Sequence, residues 1–579
     1  MSRLGDWLED RARLRSALRW ALDEPVPGGA RVAYVFGSTL LALIAAQVAT
    51  GIGLALYYSP SEATAWASVW WIQTRVALGW FLRGVHHHGA SVTVVVLVLH
   101  LAQTLLFGAY KKPRELNWIV GVLPLLLVLG FALTGYLLPW DQRGYWATRV
   151  ATAMAGTAPL VGGVLERVAQ GGDGYGTLTL TRFYALHAIV LPLALLALVG
   201  AHVALFRRRG VTPPPSLDAA ALARRARFWP DQAALDAVAA ALALGAVAVL
   251  AVRGHGAPLE APADPALAPL PRPEWYFLGL FQLQKIFQGP LETVGTLVVP
   301  GVGVALLLLL PFLDRAPGRT FRERRTVLAA ALLGLAGYGA LTAAAIRHDR
   351  LDPAVAAAQA EAAREAERAN ALAARGIPPE GPAFMLANDP PERGRRVFAA
   401  ECAGCHTIAG AGAADPKAPD LAGLFSLDWV REQVRDPNQL QRFGRTKLKG
   451  KMDAFGRRLA PERLDAVARF IHARREPARA DADPAFEEGR KIFGRAGCDE
   501  CHGLRAGEVK DAPNLHDYGS DRYLRALLEN PAAPLHFGPK GDGMPAMKGR
   551  LGPDDLTAIV AYLRTLEGLP VHRAQQAMR

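Results

Sequence analysis

Four histidines sit at spacings that only a shared function explains. His86 and His100 are 14 residues apart and His187 and His202 are 15 apart, each pair within a long apolar run. Fourteen residues advance a helix by about 21 Å and return nearly to the same face, and fifteen do much the same. Two such helices facing each other stack their imidazoles as two pairs, one near each surface of a bilayer. Ionisable side chains inside hydrocarbon are costly and mark function. A lone buried histidine can satisfy itself on a neighbouring helix, but a matched set of four predicts two bis-histidine iron sites.

Glycines agree with this. Gly37 and Gly51 on one apolar run, and Gly121 and Gly135 on another, are each 14 residues apart. Missing side chains at those levels leave room for a flat macrocycle against the backbone, although small residues also serve ordinary helix packing.

The chain's four cysteines form a second constellation. Cys402-Ala-Gly-Cys405-His406 and Cys498-Asp-Glu-Cys501-His502 match the pattern by which haem is attached covalently, with the histidine as iron ligand. A zinc pair or redox dithiol is the competing reading. No cysteine remains for a disulfide framework. The sixth ligands are expected from Met452 and Met544, which occupy equivalent positions in an internal repeat. Met547 is an alternative, but it aligns with Phe455, which cannot ligate. For Met452 core packing is the rival role.

The repeat itself is legible. Arg-Gly-Arg-Arg-Val-Phe before Cys402 echoes Glu-Gly-Arg-Lys-Ile-Phe before Cys498, and Leu459-Ala-Pro-Glu aligns with Leu551-Gly-Pro-Asp. Two copies of one small helical domain follow.

The elements that must position these residues are membrane spans. Apolar residues make up 51% of the 579-residue chain, concentrated before about residue 346. Seven runs are long enough to cross a bilayer, at about 32–58, 84–106, 118–138, 183–206, 233–252, 291–313 and 326–346. The net charge of +13 lies in alternate connections. Arg11, Arg13, Arg15 and Arg19 precede the first span; Lys111, Lys112 and Arg114, then Arg207, Arg208, Arg209, Arg224 and Arg225, then Arg315, Arg319, Arg322, Arg324 and Arg325 follow. This is the positive-inside pattern, so nucleic-acid binding is not expected. It puts the N-terminus in the cytoplasm and everything after the seventh span on the outer side of a bacterial cytoplasmic membrane. No cleavable signal peptide is expected.

The domain boundaries predicted are 1–31 for an amphipathic surface helix carrying Leu4, Trp7, Leu8, Leu14 and Leu18, and 32–210 for a four-helix histidine domain. Residues 211–350 form a three-helix part, 351–387 a helical linker, and 388–478 and 479–579 the two repeats. The long connections 139–182 and 253–290, the second holding Pro273-Glu274-Trp275-Tyr276, are of a length more often functional than idle.

The first four spans resemble cytochrome b of the quinol-oxidising cytochrome bc complexes, especially the plastid and cyanobacterial branch. The matching stretches are Phe107 to Trp118, Thr134-Gly-Tyr-Leu-Leu-Pro-Trp-Asp-Gln, Gly144-Tyr-Trp-Ala and Leu180-Thr-Arg-Phe-Tyr. Residues from about 228 to 346 are similar to that branch's separate small subunit, here joined in one chain. The fold implied is all-α: a seven-span bundle of cytochrome b type, then two class I cytochrome c domains. The resemblance implies two b-type haems, His86 and His187 holding the one nearer the outer side and His100 and His202 the inner one, with Arg83 pairing a propionate. His87 and His88 remain alternatives to His86, which the register Arg83-x-x-His86 favours. That branch attaches a further haem through a cysteine on the first helix; the aligned position is Val35, which cannot form a thioether.

By the same resemblance Glu274 accepts a quinol proton, Tyr276 positions the proton path, and the segment with Gly144, Tyr145 and Trp146 forms the facing wall. Arg207 is a candidate for an inner quinone site. The expected activity is bifurcated oxidation of quinol, one electron crossing the two b haems to an inner quinone and the other passing through a Rieske iron–sulfur protein to the two c haems, coupled to proton translocation. A Rieske centre needs two cysteines of its own, and all four here are committed, so that protein is a partner. A soluble electron acceptor such as a cytochrome c, or a plastocyanin-like acceptor, and a homodimeric complex are the other expected partners. The alternative reading is a non-bifurcating electron conduit for a dehydrogenase.

Overall fold

The computed structural model describes residues 3–13, 16, 22–172, 174–266, 272–537 and 543–572. All seven expected spans are helices long and apolar enough to cross a membrane, and the chain is a multi-pass membrane protein. They are α1 (Phe36–Ala55), α2 (Gly79–Phe107), α3 (Glu115–Leu137), α5 (Thr177–Arg209), α6 (Phe228–Arg253), α8 (Gly289–Leu313) and α9 (Arg325–Leu351). Outward residues such as Leu106, Leu196, Leu306 and Leu332 are exposed, as a lipid-facing surface requires. Of the surface helix, Arg3–Ala12 is helical; Leu14 and Leu18 lie outside the described residues.

The chain divides into two compact units, Met1–Met385 and Leu386–Arg579. In the first, α1 packs along α2, α5 along α3, and α6 against both α1 and α2. The α2 helix stops at Gly108, whose φ of 63° suits a residue without a Cβ, and the Ala109 amide donates back to the Thr104 carbonyl at 2.9 Å. The 139–182 connection holds α4 (Gln142–Gly156), capped by Asp141, whose carboxylate accepts from the Gly144 amide at 2.8 Å. The 253–290 connection holds α7 (Leu278–Ile286), which packs on α9. A helix over Pro353–Ala373, α10, occupies the expected spacer.

The second unit contains both repeats around one core of buried residues, among them Phe398, Trp429, Phe470, Phe493, Tyr523 and Ile559. Its helices are α11 (Pro390–Glu401), α12 (Leu427–Arg435), α13 (Pro461–Ala473), α14 (Glu487–Arg495), α15 (Asp521–Glu529) and α16 (Pro553–Thr565). α12 packs on α13 and α15 on α16, each within its own repeat. The first helix of each repeat instead crosses the last helix of the other: α11 packs on α16, and α14 on α13.

Candidate functional site

The two histidine pairs meet. The His86 and His187 ring centroids are 6.2 Å apart and those of His100 and His202 are 6.4 Å apart. A metal held between two imidazole nitrogens at about 2 Å each separates the ring centroids by roughly 6 Å. His88 faces away, its Nε2 lying 3.2 Å from the Gly256 carbonyl, with His87 beside it at 4.9 Å between ring centroids.

Three of the four imidazoles are oriented through Nδ1. His86 Nδ1 lies 2.9 Å from Thr50 Oγ1, whose proton goes to the Ala46 carbonyl, so the imidazole is the donor. The same logic holds for His187 with Thr134, and His202 Nδ1 donates to the Asn117 carbonyl at 3.1 Å. A proton fixed on Nδ1 leaves the Nε2 lone pair free for a metal. These residues therefore fit a bis-imidazole haem.

Each predicted glycine faces one of these rings. A Cβ on Gly37 would lie 3.7 Å from His100 Cε1, on Gly51 3.2 Å from His86 Cε1, on Gly121 2.7 Å from His202 Cε1, and on Gly135 2.5 Å from His187 Cε1. The space they open is thus needed first by the imidazoles themselves.

The unequal spacing has a local cause. Leu186–Val190, which includes His187, is a π-turn inside α5. Such a turn inserts one residue into an α-helix, so fifteen residues on α5 match fourteen on α2. Spacing alone shows the extra residue but not where it is absorbed.

Arg83 is buried and donates to the Ala257 and Pro258 carbonyls, each at 2.6 Å, and to the Gln73 side chain. It ties the start of α2 to the segment after α6. Arg207 forms an ion pair with Glu24.

Beside the His86–His187 level lies a cavity of about 300 Å³, lined by Gly130 and Tyr136 from α3, Ala147 and Met154 from α4, and Glu274, Phe277 and Phe281. Glu274 Oε1 is buried there with no hydrogen-bond donor among the described residues, and the nearest cation is Arg143 Nη1 at 3.9 Å. An apolar cavity with one convergent carboxylate suits a largely hydrophobic ligand bearing a single dissociable proton at that end. Arg143 also approaches Glu260 at 3.5 Å. Burial, reinforced by the Asp141 carboxylate, raises Glu260 to about 7 against the pull of Arg143.

Tyr276 is not among the lining residues; its backbone carbonyl accepts from the Tyr338 hydroxyl, and burial raises its phenol. The facing wall is supplied by α4, by turns that follow Gly144, Tyr145 and Trp146 rather than by those three residues. Sequence reasoning missed Thr50, Thr134, Tyr136 and Arg143. The signal for the threonines was present: Thr50-Gly51 and Thr134-Gly135 are the same dipeptide at the same level of two helices.

In the second unit, His406 Nδ1 donates to the Pro419 carbonyl at 2.8 Å and His502 Nδ1 to the Pro513 carbonyl at 2.7 Å. With that orientation fixed, His406 and His502, each next to a Cys-x-x-Cys pair, would hold the iron of a haem attached through those cysteines.

Comparison with known proteins agrees with the fold. Residues 21–210 match the family model described as "Cytochrome b/b6/petB", and 262–358 match "Cytochrome b(C-terminal)/b6/petD". The whole length of the cytochrome b6 of Auxenochlorella protothecoides, and of that of Chlamydomonas reinhardtii, aligns over 214 residues at 39% identity, covering 37% of this chain. The chain belongs to the cytochrome b/b6 family. Residues 391–474 and 486–567 each match "Cytochrome c", so cytochrome c domains are fused to it. A solved structure titled "Hyperthermophilic respiratory Complex III" superposes with a TM-score of 0.52 at 29% identity, covering 61% of this chain and 93% of that one. These matches make the chain an oxidoreductase subunit with b-type and c-type haems, and support electron transfer of the quinol-oxidoreductase kind in general.

Proposed function

We propose that this cytochrome b/b6-family chain is the b- and c-haem subunit of a quinol-oxidising complex of bifurcating type. Quinol binds in the cavity at Glu274, and the observation that carries this reading is the buried Oε1 of that side chain, left without a donor at the apolar rim. Glu274 accepts a quinol proton as an electron leaves, with the Arg143 guanidinium 3.9 Å from its carboxylate. His86 with His187, and His100 with His202, hold two b-type haems, while Cys402, Cys405 and His406, and Cys498, Cys501 and His502, hold two c-type haems. When bound, these groups accept and pass on single electrons.

One electron of each quinol would cross the two bis-histidine sites toward an inner quinone, and the other would go to a Rieske iron–sulfur partner and then to the cytochrome c repeats, the second quinol proton being released on the outer side and quinone left in the cavity. The reading includes a soluble acceptor such as a cytochrome c, a homodimeric complex, coupled proton translocation, and a bacterial cytoplasmic membrane with the repeats outside. Positive charge in alternate connections supports that orientation.

The experiment is purification of the complex followed by steady-state quinol oxidation. A Rieske protein should co-purify, and an outer-site inhibitor should alter b-haem reduction. Glu274→Gln should lower turnover by about 10²- to 10⁴-fold with haem content unchanged. Turnover unchanged in that variant, and no Rieske protein, would leave the conduit reading instead.

A further inference from the structure

In both repeats the first helix closes on the last helix of the other repeat. A Cβ on Gly394 in α11 would overlap the Ala558 carbonyl of α16 and press on Tyr562. A Cβ on Gly489 in α14 would overlap the Ala466 carbonyl of α13 and press on Phe470. Ala466 and Phe470 are the repeat equivalents of Ala558 and Tyr562, so each glycine meets the position that its own repeat also offers, but on the other copy.

Aromatic contacts repeat the exchange. Phe398 of α11 meets Tyr562 with ring centroids 5.6 Å apart, and Phe493 of α14 meets Phe470, also at 5.6 Å. Around the first attachment motif, Arg550 pairs with Glu401 at 2.6 Å and Asp555 with Arg393 at 2.7 Å. The Gly423 amide donates to the Leu566 carbonyl at 2.9 Å. Around the second, the guanidinium of Arg474, the repeat equivalent of Leu566, donates to the Leu504 carbonyl at 2.6 Å. The segment that follows Met544 thus runs beside Cys402 of the other repeat.

We propose that the two c-type haem pockets are built crosswise, His406 being paired with Met544 and His502 with Met452. Each pocket takes its attachment motif and proximal loop from one repeat, and its ligand loop and closing helix from the other. This rests on the reading of both Cys-x-x-Cys-His motifs as haem attachment sites. Neither repeat then forms a complete site alone, and the serial division at about residue 478 does not separate the two haems' ligand sets.

Two measurements on the full-length chain test it, after covalent haem content has been determined; absence of covalent haem would overturn the attachment reading rather than the crossing. The first is intramolecular crosslinking. Arg393→Cys with Asp555→Cys should join, as read by peptide mass spectrometry, and Arg393→Cys with Arg463→Cys, the equivalent position of α13, should not. The reverse result, or equal joining of both, overturns the crossing.

The second measurement marks one haem. Cys402→Ala leaves that haem with a single thioether and moves its visible band to longer wavelength, so it can be followed separately. On this background Met544→Leu should abolish the sulfur-to-iron charge-transfer absorption of the marked haem and shift its midpoint downward, as loss of a methionine ligand does, whereas Met452→Leu should change only the unmarked one. The opposite assignment overturns the proposal.

Discussion

Thr134 Oγ1 lies 3.1 Å from His187 Nδ1 while its own proton is directed to the Gly130 carbonyl at 2.8 Å. The hydroxyl can therefore only accept, and the imidazole carries its proton on Nδ1. Thr50 does the same for His86 at the facing helix. Both rings of one pair thus turn their free nitrogen toward the shared site, set by residues that never touch a metal.

This relation predicts a redox effect. Thr134→Val removes the acceptor, so the imidazole gives less electron density to iron and the oxidised form loses stabilisation. The midpoint of that haem should rise by roughly 20–60 mV, the electrical equivalent of a hydrogen bond of about 0.5–1.5 kcal/mol. Thr134→Ser should restore it. Potentiometric titration of the b-type bands reads both.

Gly121→Ala should displace His202, because the new methyl would sit 2.7 Å from its Cε1. Non-covalent haem should fall from two per chain toward one. Gly200→Ala on the same helix as His202, where nothing lies within 4 Å, should leave the content unchanged. Haem extraction and quantification separates the two outcomes.

Much of this arrangement is legible in the residues and some is not. The histidine and glycine spacings specify a bundle because a helix repeats its face at intervals near fourteen, and lipid demands long apolar runs. The π-turn at Leu186–Val190 is absorbed by backbone geometry that no side chain announces. Arg143 reaches Glu274 across more than a hundred residues of sequence, a contact fixed by how α4 packs beneath α3. The crossing of α11 with α16 is invisible for another reason. Gly394 and Gly489, and Phe470 and Tyr562, are near-equivalent partners, so either pairing satisfies the same local pattern.

Glu260 offers a pH test. Its carboxyl is raised to about 7, so it holds its proton below that pH and loses it above. Arg143 favours the charged form, and Arg143→Gln should therefore move the titration to higher pH. Infrared difference spectra, with Glu260→Gln to assign the carboxyl band, should show the protonated band at pH 6 and its loss by pH 9, these two values bracketing the shifted group by roughly one unit or more.

The paired intramembrane imidazoles are tested most directly by counting haem. Pyridine haemochrome analysis of the purified chain should give equal amounts of b- and c-type haem, two of each by the ligand sets described. His86→Leu and His202→Leu should each remove one b-type haem while both covalent haems stay. Full retention of non-covalent haem in either variant would contradict the account.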